Sequence, residues 1–437
     1  MKITFMGAGS TVFCKNVLGD VLLTEAIREC EIALYDIDKN RLDESYIVVE
    51  SINKKYNNGK AKVKKYLGVD ERKEALRGAK FVVNAIAVGG YEPCTVIDFG
   101  IPRKYGLLQT IGDTLGIGGI FRGMRTIHVM ADFARDMEEV CPDALFLNYT
   151  NPMAILTGYM QRYTGVKTVG LCHSVQTCTS SLLKTLGIPE QEIGSELIAG
   201  INHMAWLLDV RDKAGNDLYP MLRRLAKEKN REKHKNMVRL DYIDKLGYYC
   251  TESSEHNAEY NPYYIKSKYP ELIDRFNIPI DEYLRRCVNQ IAGWEKQKKE
   301  LLGGGDIEHV RSNEYASRIM EAIVTNTPYC IGGNVLNDGL ITNLPSKAVV
   351  EVPCLVDGRG IHPTFVGELP LVLAAMNNAN ISCQLLTIEA AVTGKKEHLY
   401  QAAMFDPHTA AELSIDDIIS MCDEMIEAHE SAGFRIL

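Results

Sequence analysis

The first two dozen residues constrain the fold most. Lys2–Met6 is a short apolar run, Gly7-Ala8-Gly9-Ser10 follows at once, and a helical pattern continues to about Leu23. A strand that ends in two glycines and opens a helix is the first unit of a dinucleotide-binding fold. The glycines permit a tight turn and close backbone approach to a pyrophosphate, and the helix N-terminus supplies free N–H groups and a favourable dipole. Asp36 ends the next apolar run, Glu31–Tyr35, where a carboxylate would meet a ribose hydroxyl. Val12 stands in place of the third glycine of the fingerprint. The turn could be purely structural, but strand, glycine turn, helix and acid in order favour NAD. Gly7, Gly9, Ser10 and Asp36 are the expected cofactor residues, joined by Asn84 and Asn148 at the ends of two later strands.

The alternation continues through the first half. Leu42–Ile52 reads as a helix, Val63–Leu67 as a weak strand, Phe81–Val88 as a buried strand and Gly123–Val140 as a long amphipathic helix. Leu145–Leu147 and Val166–Leu171 read as strands either side of the helix Met153–Tyr163. Strands alternating with helices imply βαβ units, so the fold class is α/β with a Rossmann-type, doubly wound parallel sheet. Past residue 195 the rhythm changes. Leu197–Val210 is apolar with a bend at Gly200, and Asp212–Asp217 and Asn337-Asp338-Gly339 are turn signals. Val349–Leu355 reads as a strand, and 221–246, Tyr283–Leu302, Ser312–Thr325, Leu369–Met376 and Leu385–Val392 as helical. The expected division is an NAD-binding domain at 1–195 and an α+β substrate domain at 196–437.

Bulk properties exclude other classes. With 437 residues the chain exceeds one ordinary core, and its net charge of −8 argues against a nucleic-acid partner. No stretch approaches 18 uninterrupted apolar residues, so no membrane span is expected, and the N-terminus has no signal-peptide pattern. The 12 cysteines show no Cys-x-x-Cys and read as reduced thiols of a cytoplasmic protein. Cys14, Cys30, Cys141, Cys330 and Cys354 read as small core residues.

Chemistry concentrates at three places. Leu171-Cys172-His173-Ser174-Val175-Gln176 lies at a strand end, where α/β folds bind ligands, and Asn202-His203 lies in another apolar segment. A thiolate and a neutral imidazole suit a divalent metal, so Cys172 and His203 are either a ligand pair or a buried thiol and a core histidine. Asn148-Tyr149-Thr150-Asn151-Pro152 offers amides to a ligand, or is an asparagine turn before a helix. Thr251–Tyr260 packs Glu252, Glu255, His256, Glu259 and Tyr260 into ten residues, a density that suits acid–base chemistry.

These motifs, with Leu34-Tyr35-Asp36, Gly200-Ile201-Asn202-His203 and Arg311-Ser312-Asn313-Glu314, resemble glycoside hydrolase family 4, the NAD- and metal-dependent glycosidases. The resemblance runs from the Gly7 turn to at least Gly367. Cys172–Gln176 and Glu252–His256 are most similar to the α-galactosidase branch. The resemblance implies a lactate/malate dehydrogenase-like fold and a redox–elimination route. NAD⁺ takes a hydride from carbon 3 of the sugar, a base takes the proton on carbon 2, the aglycone leaves, water adds, and the hydride returns. It implies Mn²⁺ or another divalent ion held by Cys172 and His203, Asn151 on substrate hydroxyls and Arg311 lining the sugar pocket. Glu255, His256 and Tyr260 compete as the base, in the order Glu255, then Tyr260. His173 is the candidate acid, with a metal-bound water as the alternative.

Residues 89–94, in the loop where phospho-sugar relatives resemble an Arg-bearing stretch, contain no Arg or Lys, so an unphosphorylated α-galactoside is the expected substrate. The competing readings are α-glucosidase or α-galacturonidase activity in the same family, an NAD-dependent hydroxy-acid dehydrogenase, and a non-enzymatic NAD-binding redox sensor. The expected partners are a small-molecule glycoside and further copies of the chain, as a dimer or tetramer, with no nucleic acid and no membrane.

Overall fold

The computed structural model describes residues 1–302 and 307–437. Its strands are β1 (Lys2–Met6), β2 (Glu31–Asp36), β3 (Lys62–Leu67), β4 (Phe81–Asn84), β5 (Leu145–Asn148), β6 (Lys167–Gly170), β7 (Ile193–Ile201), β8 (Met204–Asp212), β9 (Tyr249–Cys250), β10 (Tyr329–Leu336), β11 (Val349–Asp357) and β12 (Gly360–Pro363). All belong to one sheet in the order β3-β2-β1-β4-β5-β6-β10-β11-β7-β8-β9, with β12 beside β11. The first six strands are parallel, in the doubly wound dinucleotide-binding order. From β6 onward the neighbours pair antiparallel.

The parallel strands are covered on both sides, and alternation sorts their side chains. Ile3, Phe5, Val83 and Leu147 join one core with the helix Thr11–Leu23. Met6, Val82 and Phe146 join a second core with the helices Gly116–Val140 and Met153–Tyr163.

Several expectations need correction. The apolar run 81–88 stays in the sheet only to Asn84: the Ala85 amide makes a last bond to Met6 O at 2.9 Å, and the Ala85 carbonyl lies against the glycine turn. The run Leu197–Val210 is a tight hairpin turning at Asn202-His203, with Ile201 paired to Met204, rather than a strand bent at Gly200. Cys330 is exposed: β10 meets β6 only at Asn334, so the start of β10 extends past that neighbour.

The two helices expected at 369–376 and 385–392 are one helix, Leu371–Thr393. Its asparagines read as interruptions in sequence, but inside the protein Asn377 Nδ2 donates to Met204 O at 2.8 Å and Asn380 Nδ2 to Tyr260 O at 3.1 Å. By length and composition this helix is apolar enough to cross a membrane, and half of that window is buried within the protein. Counting uninterrupted apolar residues missed it for the same reason. Its packing braces the β7–β8 turn from behind.

Candidate active site

The glycine turn sits between β1 and the helix Thr11–Leu23. The Gly7 and Ala8 amides both donate to Tyr35 O at 3.0 Å, which folds the turn against β2. Gly7 has φ +87°, and a Cβ there would lie 2.7 Å from Ala85 O, so only glycine fits. A Cβ on Gly9 would lie 2.8 Å from Asp36 Oδ2, which accepts the Gly9 amide at 2.6 Å. Ser10 and Val12 are exposed at the helix start. Backbone held clear of side chains at an open helix N-terminus, with Asp36 beside it, fits a pyrophosphate and its ribose.

Asn84 and Asn148 end the neighbouring strands β4 and β5 and face each other. Asn84 Nδ2 donates to Asn148 Oδ1 at 2.9 Å and to Thr150 Oγ1 at 3.1 Å, while Asn148 Nδ2 donates to Thr150 O at 3.1 Å. Both side chains are fully enclosed, and Asn84 Oδ1 has no partner. The pair ties the C-terminal ends of the strands together beside the glycine turn. Asn151, just beyond, keeps its Oδ1 buried and unpartnered, an acceptor free for a ligand.

Three distant segments converge next to this edge. Cys172 follows β6, His203 sits in the β7–β8 turn with φ 64°, and Glu252 follows β9 with φ 64°. One ligand atom from each, including the thiol Sγ, lies within 4.8 Å of the others. Positive φ at two non-glycine residues is strain of the kind found where geometry serves a site. Thr251 fastens both segments: its amide donates to Ala205 O at 2.8 Å, and its Oγ1 accepts from the Ala205 amide at 3.1 Å. Burial alone would pull the His203 imidazole down, but Glu252, Cys172 and Asp113 outweigh it and push it up to about 10. Anionic character this dense, held around one imidazole, is what a divalent cation would neutralise.

The sequence run 251–260 does not present its acid–base groups to one point. Tyr260 lies behind His203, its hydroxyl 3.2 Å from Nδ1, with no exposed surface. His256 is buried, with Nδ1 2.6 Å from Ser253 Oγ and 3.4 Å from Glu252 Oε1; burial lowers its pKa against the pull of Glu252. Glu255 turns away into an ion pair with Arg286 at 2.6 Å. Glu259 is enclosed and accepts the amides of Thr110, Ile111 and Gly112, which pins the loop bearing Asp113 beside His256. Burial raises the Glu259 carboxyl to about 7 despite those hydrogen bonds.

His173 is held from the far end of the chain. Its Nε2 lies 2.6 Å from Glu314 Oε2, and that hydrogen bond raises its pKa against the pull of burial. Glu314 is delivered by a strap across the first helix. Asp20 accepts from Ser312 N at 2.9 Å and Ser312 Oγ at 2.6 Å and pairs with His309 at 2.8 Å. Arg311 is exposed, and its guanidinium donates to Thr24 Oγ1 at 2.9 Å, so it serves the strap and is not gathered with Cys172, His203 and Glu252. Reading by sequence left Glu252, Glu314 and Asp113 without a role. Glu252 stood in a conspicuous run, but its positive φ has no signature in residue type, and nothing local marks Glu314 as the partner of His173.

Comparison with known proteins converges on one family. The profile of "Family 4 glycosyl hydrolase" matches residues 2–188, and that of "Family 4 glycosyl hydrolase C-terminal domain" matches residues 198–409. An α-galactosidase of Bacillus subtilis is 63% identical over 98% of this chain and 98% of its own length. An α-galactosidase of Rhizobium meliloti is 36% identical over 98% of this chain and 88% of its own. Among solved structures, a 6-phospho-α-glucosidase from gut microorganisms, in complex with NAD and Mn²⁺, superposes with a TM-score of 0.80 at 21% identity, covering 98% of both chains.

Proposed function

The chain belongs to family 4 of the glycosyl hydrolases, and on that premise we propose that it is an α-galactosidase that uses NAD and a divalent ion, Mn²⁺ in the first place. The observation that carries this reading is the 63% identity to an α-galactosidase over nearly the whole of both chains. The residues fit both groups. Gly7 and Gly9 hold a turn in which a Cβ would strike Ala85 O or Asp36 Oδ2, Ser10 opens the helix beside it, and Cys172 and His203 bring two metal-type donors together. When bound, the dinucleotide exchanges a hydride with carbon 3 of the sugar and the ion polarises the oxygens at carbons 2 and 3.

The chain's own residues supply position and protons. Asn151 offers its unpartnered Oδ1 to a sugar hydroxyl. His173, kept protonated to higher pH by Glu314, is the candidate to donate a proton to the leaving oxygen. Of the three candidates for the base at carbon 2, the Glu255 carboxylate is committed to Arg286 and the enclosed Tyr260 hydroxyl to Nδ1 of His203, which favours His256, whose imidazole burial keeps neutral. Enclosure of His256, Tyr260 and Glu259 keeps that side of the site dry.

An unphosphorylated galactoside suits the charges of the loop after β4. Residues 89–94 carry no cation, and Arg122, which reaches Thr95 from the helix Gly116–Val140, is taken up by Asp113 at 3.7 Å and by the Tyr283 ring. Free thiols at all 12 cysteines suit a reducing cytoplasm. Exposed Phe365, Leu371 and Val372, close together in sequence, suit association of copies as a dimer or tetramer. The test is an assay of nitrophenyl α-galactoside and its 6-phosphate with NAD⁺ and Mn²⁺. Release of nitrophenol from the unphosphorylated glycoside is expected, and preference for the phosphate, or for α-glucoside or α-galacturonide analogues, would overturn the substrate assignment.

A further inference from the structure

We infer that Glu252 is a third protein ligand of the divalent ion, so that the ion is seated by Cys172, His203 and Glu252 before any sugar arrives. The inference rests on the reading of Cys172 and His203 as metal ligands and goes one residue beyond it.

The geometry carries it. The Tyr260 hydroxyl occupies Nδ1 of His203 at 3.2 Å, which leaves Nε2 to face the ion. Nε2 lies 3.8 Å from Glu252 Oε2, too far for a hydrogen bond. Donors that each sit roughly 2.0–2.3 Å from one ion are spaced roughly 3–4 Å from each other, so 3.8 Å is the separation of two ligands sharing a cation. The thiol Sγ falls within the same 4.8 Å group. The other oxygen, Oε1, is turned toward His256 Nδ1 at 3.4 Å, so each oxygen of the carboxylate has a separate neighbour. His203 backed by a phenol and Glu252 backed by an imidazole is the outer-shell pattern that orients metal ligands. Both residues hold φ 64°, and Thr251 locks the two segments to each other, so the donors are fixed in the protein rather than recruited by substrate.

Two consequences follow. Thiolate and carboxylate together balance a divalent charge, so the ion binds without waiting for an anionic substrate. A carboxylate oxygen also moves a Cys/His pair, which alone suits a soft ion, toward hard ions such as Mn²⁺. Three protein ligands leave an ion that takes six donors with three open positions, enough for two adjacent sugar oxygens and a water.

The test is titration of the full-length chain with Mn²⁺ and no sugar, following free Mn²⁺ by electron paramagnetic resonance. The wild type is expected to bind one ion, and Glu252→Gln to bind it at least about tenfold more weakly. Wild-type affinity in Glu252→Gln, alongside lost binding in Cys172→Ser, would overturn the third ligand and leave the two-residue site standing. Unchanged binding in Cys172→Ser as well would overturn the site itself. Glu252→Asp keeps the charge and withdraws the oxygen. If the Gln variant does not fold, weakened Mn²⁺ binding by a normally melting Asp variant supports ligation, and unchanged binding overturns it.

Discussion

Two of the buried charge clusters in this molecule are built in opposite ways. At the first, Arg125 forks onto both oxygens of Asp98 at 3.1 and 2.7 Å, His429 reaches the same carboxylate at 2.9 Å, and Arg125 Nε donates to Val88 O. Both side chains of the ion pair are 1% exposed. At the second, Cys172, His203 and Glu252 aim donors at a common point while Glu252 stands 3.8 Å from the imidazole, and Asn151 nearby along β5's exit keeps an acceptor unused. A cluster whose charges are closed on one another, with both carboxylate oxygens taken, is scaffold. A cluster with converging lone pairs left over is a place for a ligand, because buried acceptors are otherwise paired. The scaffold cluster still serves the site, since it fastens the carbonyl of Val88 in the loop after β4 and ties in the C-terminal helix Ile415–Ser431.

Substitution breaks this contrast most sharply at the second cluster. Cys172→Ser is expected to lower glycoside cleavage by on the order of 10³-fold while leaving the melting temperature of the metal-free chain within a few degrees of the wild type. Rates on nitrophenyl α-galactoside and a thermal melt check both halves. The first cluster should do the reverse. Asp98→Ala strands the Arg125 charge in the core and is expected to cost about 3–5 kcal/mol in urea unfolding, whatever the metal content.

The smallest effect is pH-dependent and tests the Asp20 strap. Burial raises the Asp20 carboxyl, but hydrogen bonds from His309 and Ser312 outweigh it and hold the pKa below its ordinary 3.8. A depressed carboxylate stabilises above its unfolded value and loses that contribution as pH falls through the folded value. The urea midpoint should therefore drop as pH falls below 3.8, with a contribution on the order of 1 kcal/mol that Asp20→Asn removes.

The same contrast explains what could be read from the chain. The glycine turn, Asp36 and the alternating strands are local patterns, and β1, β2 and the helix Met153–Tyr163 stand where those patterns place them. Cys172 was legible as a thiol at a strand end and His203 as an imidazole in an apolar run, and the hairpin turn brings the two together. Glu252 and Glu314 were not, since their meaning arises from strands paired across the sheet and from a strap crossing the first helix. The run 251–260 gathers only in part: Glu252, His256 and Tyr260 stand around His203, and the rest turn away. Density in sequence suggested one acid–base centre, but a short helix, Ser254–Glu259, points its side chains in several directions. Glu255 therefore meets Arg286, Glu259 meets the Thr110–Gly112 amides, and only His256 and the following Tyr260 stay with the metal-type donors. Asn377 and Asn380 hid the longest C-terminal core helix because burial of a satisfied amide looks like a break in an apolar pattern.

Cleavage of galactosides at this site proceeds, on the proposed function, by oxidation of carbon 3 and removal of the proton at carbon 2. Turnover of an α-galactoside in D₂O with NAD⁺ and Mn²⁺, followed by mass and proton analysis of the freed galactose, tests it most directly. One deuterium at carbon 2 and no net NADH are expected, because the elimination surrenders that proton to a base and the addition takes one back from solvent. Galactose released with its original hydrogen at carbon 2 would contradict it.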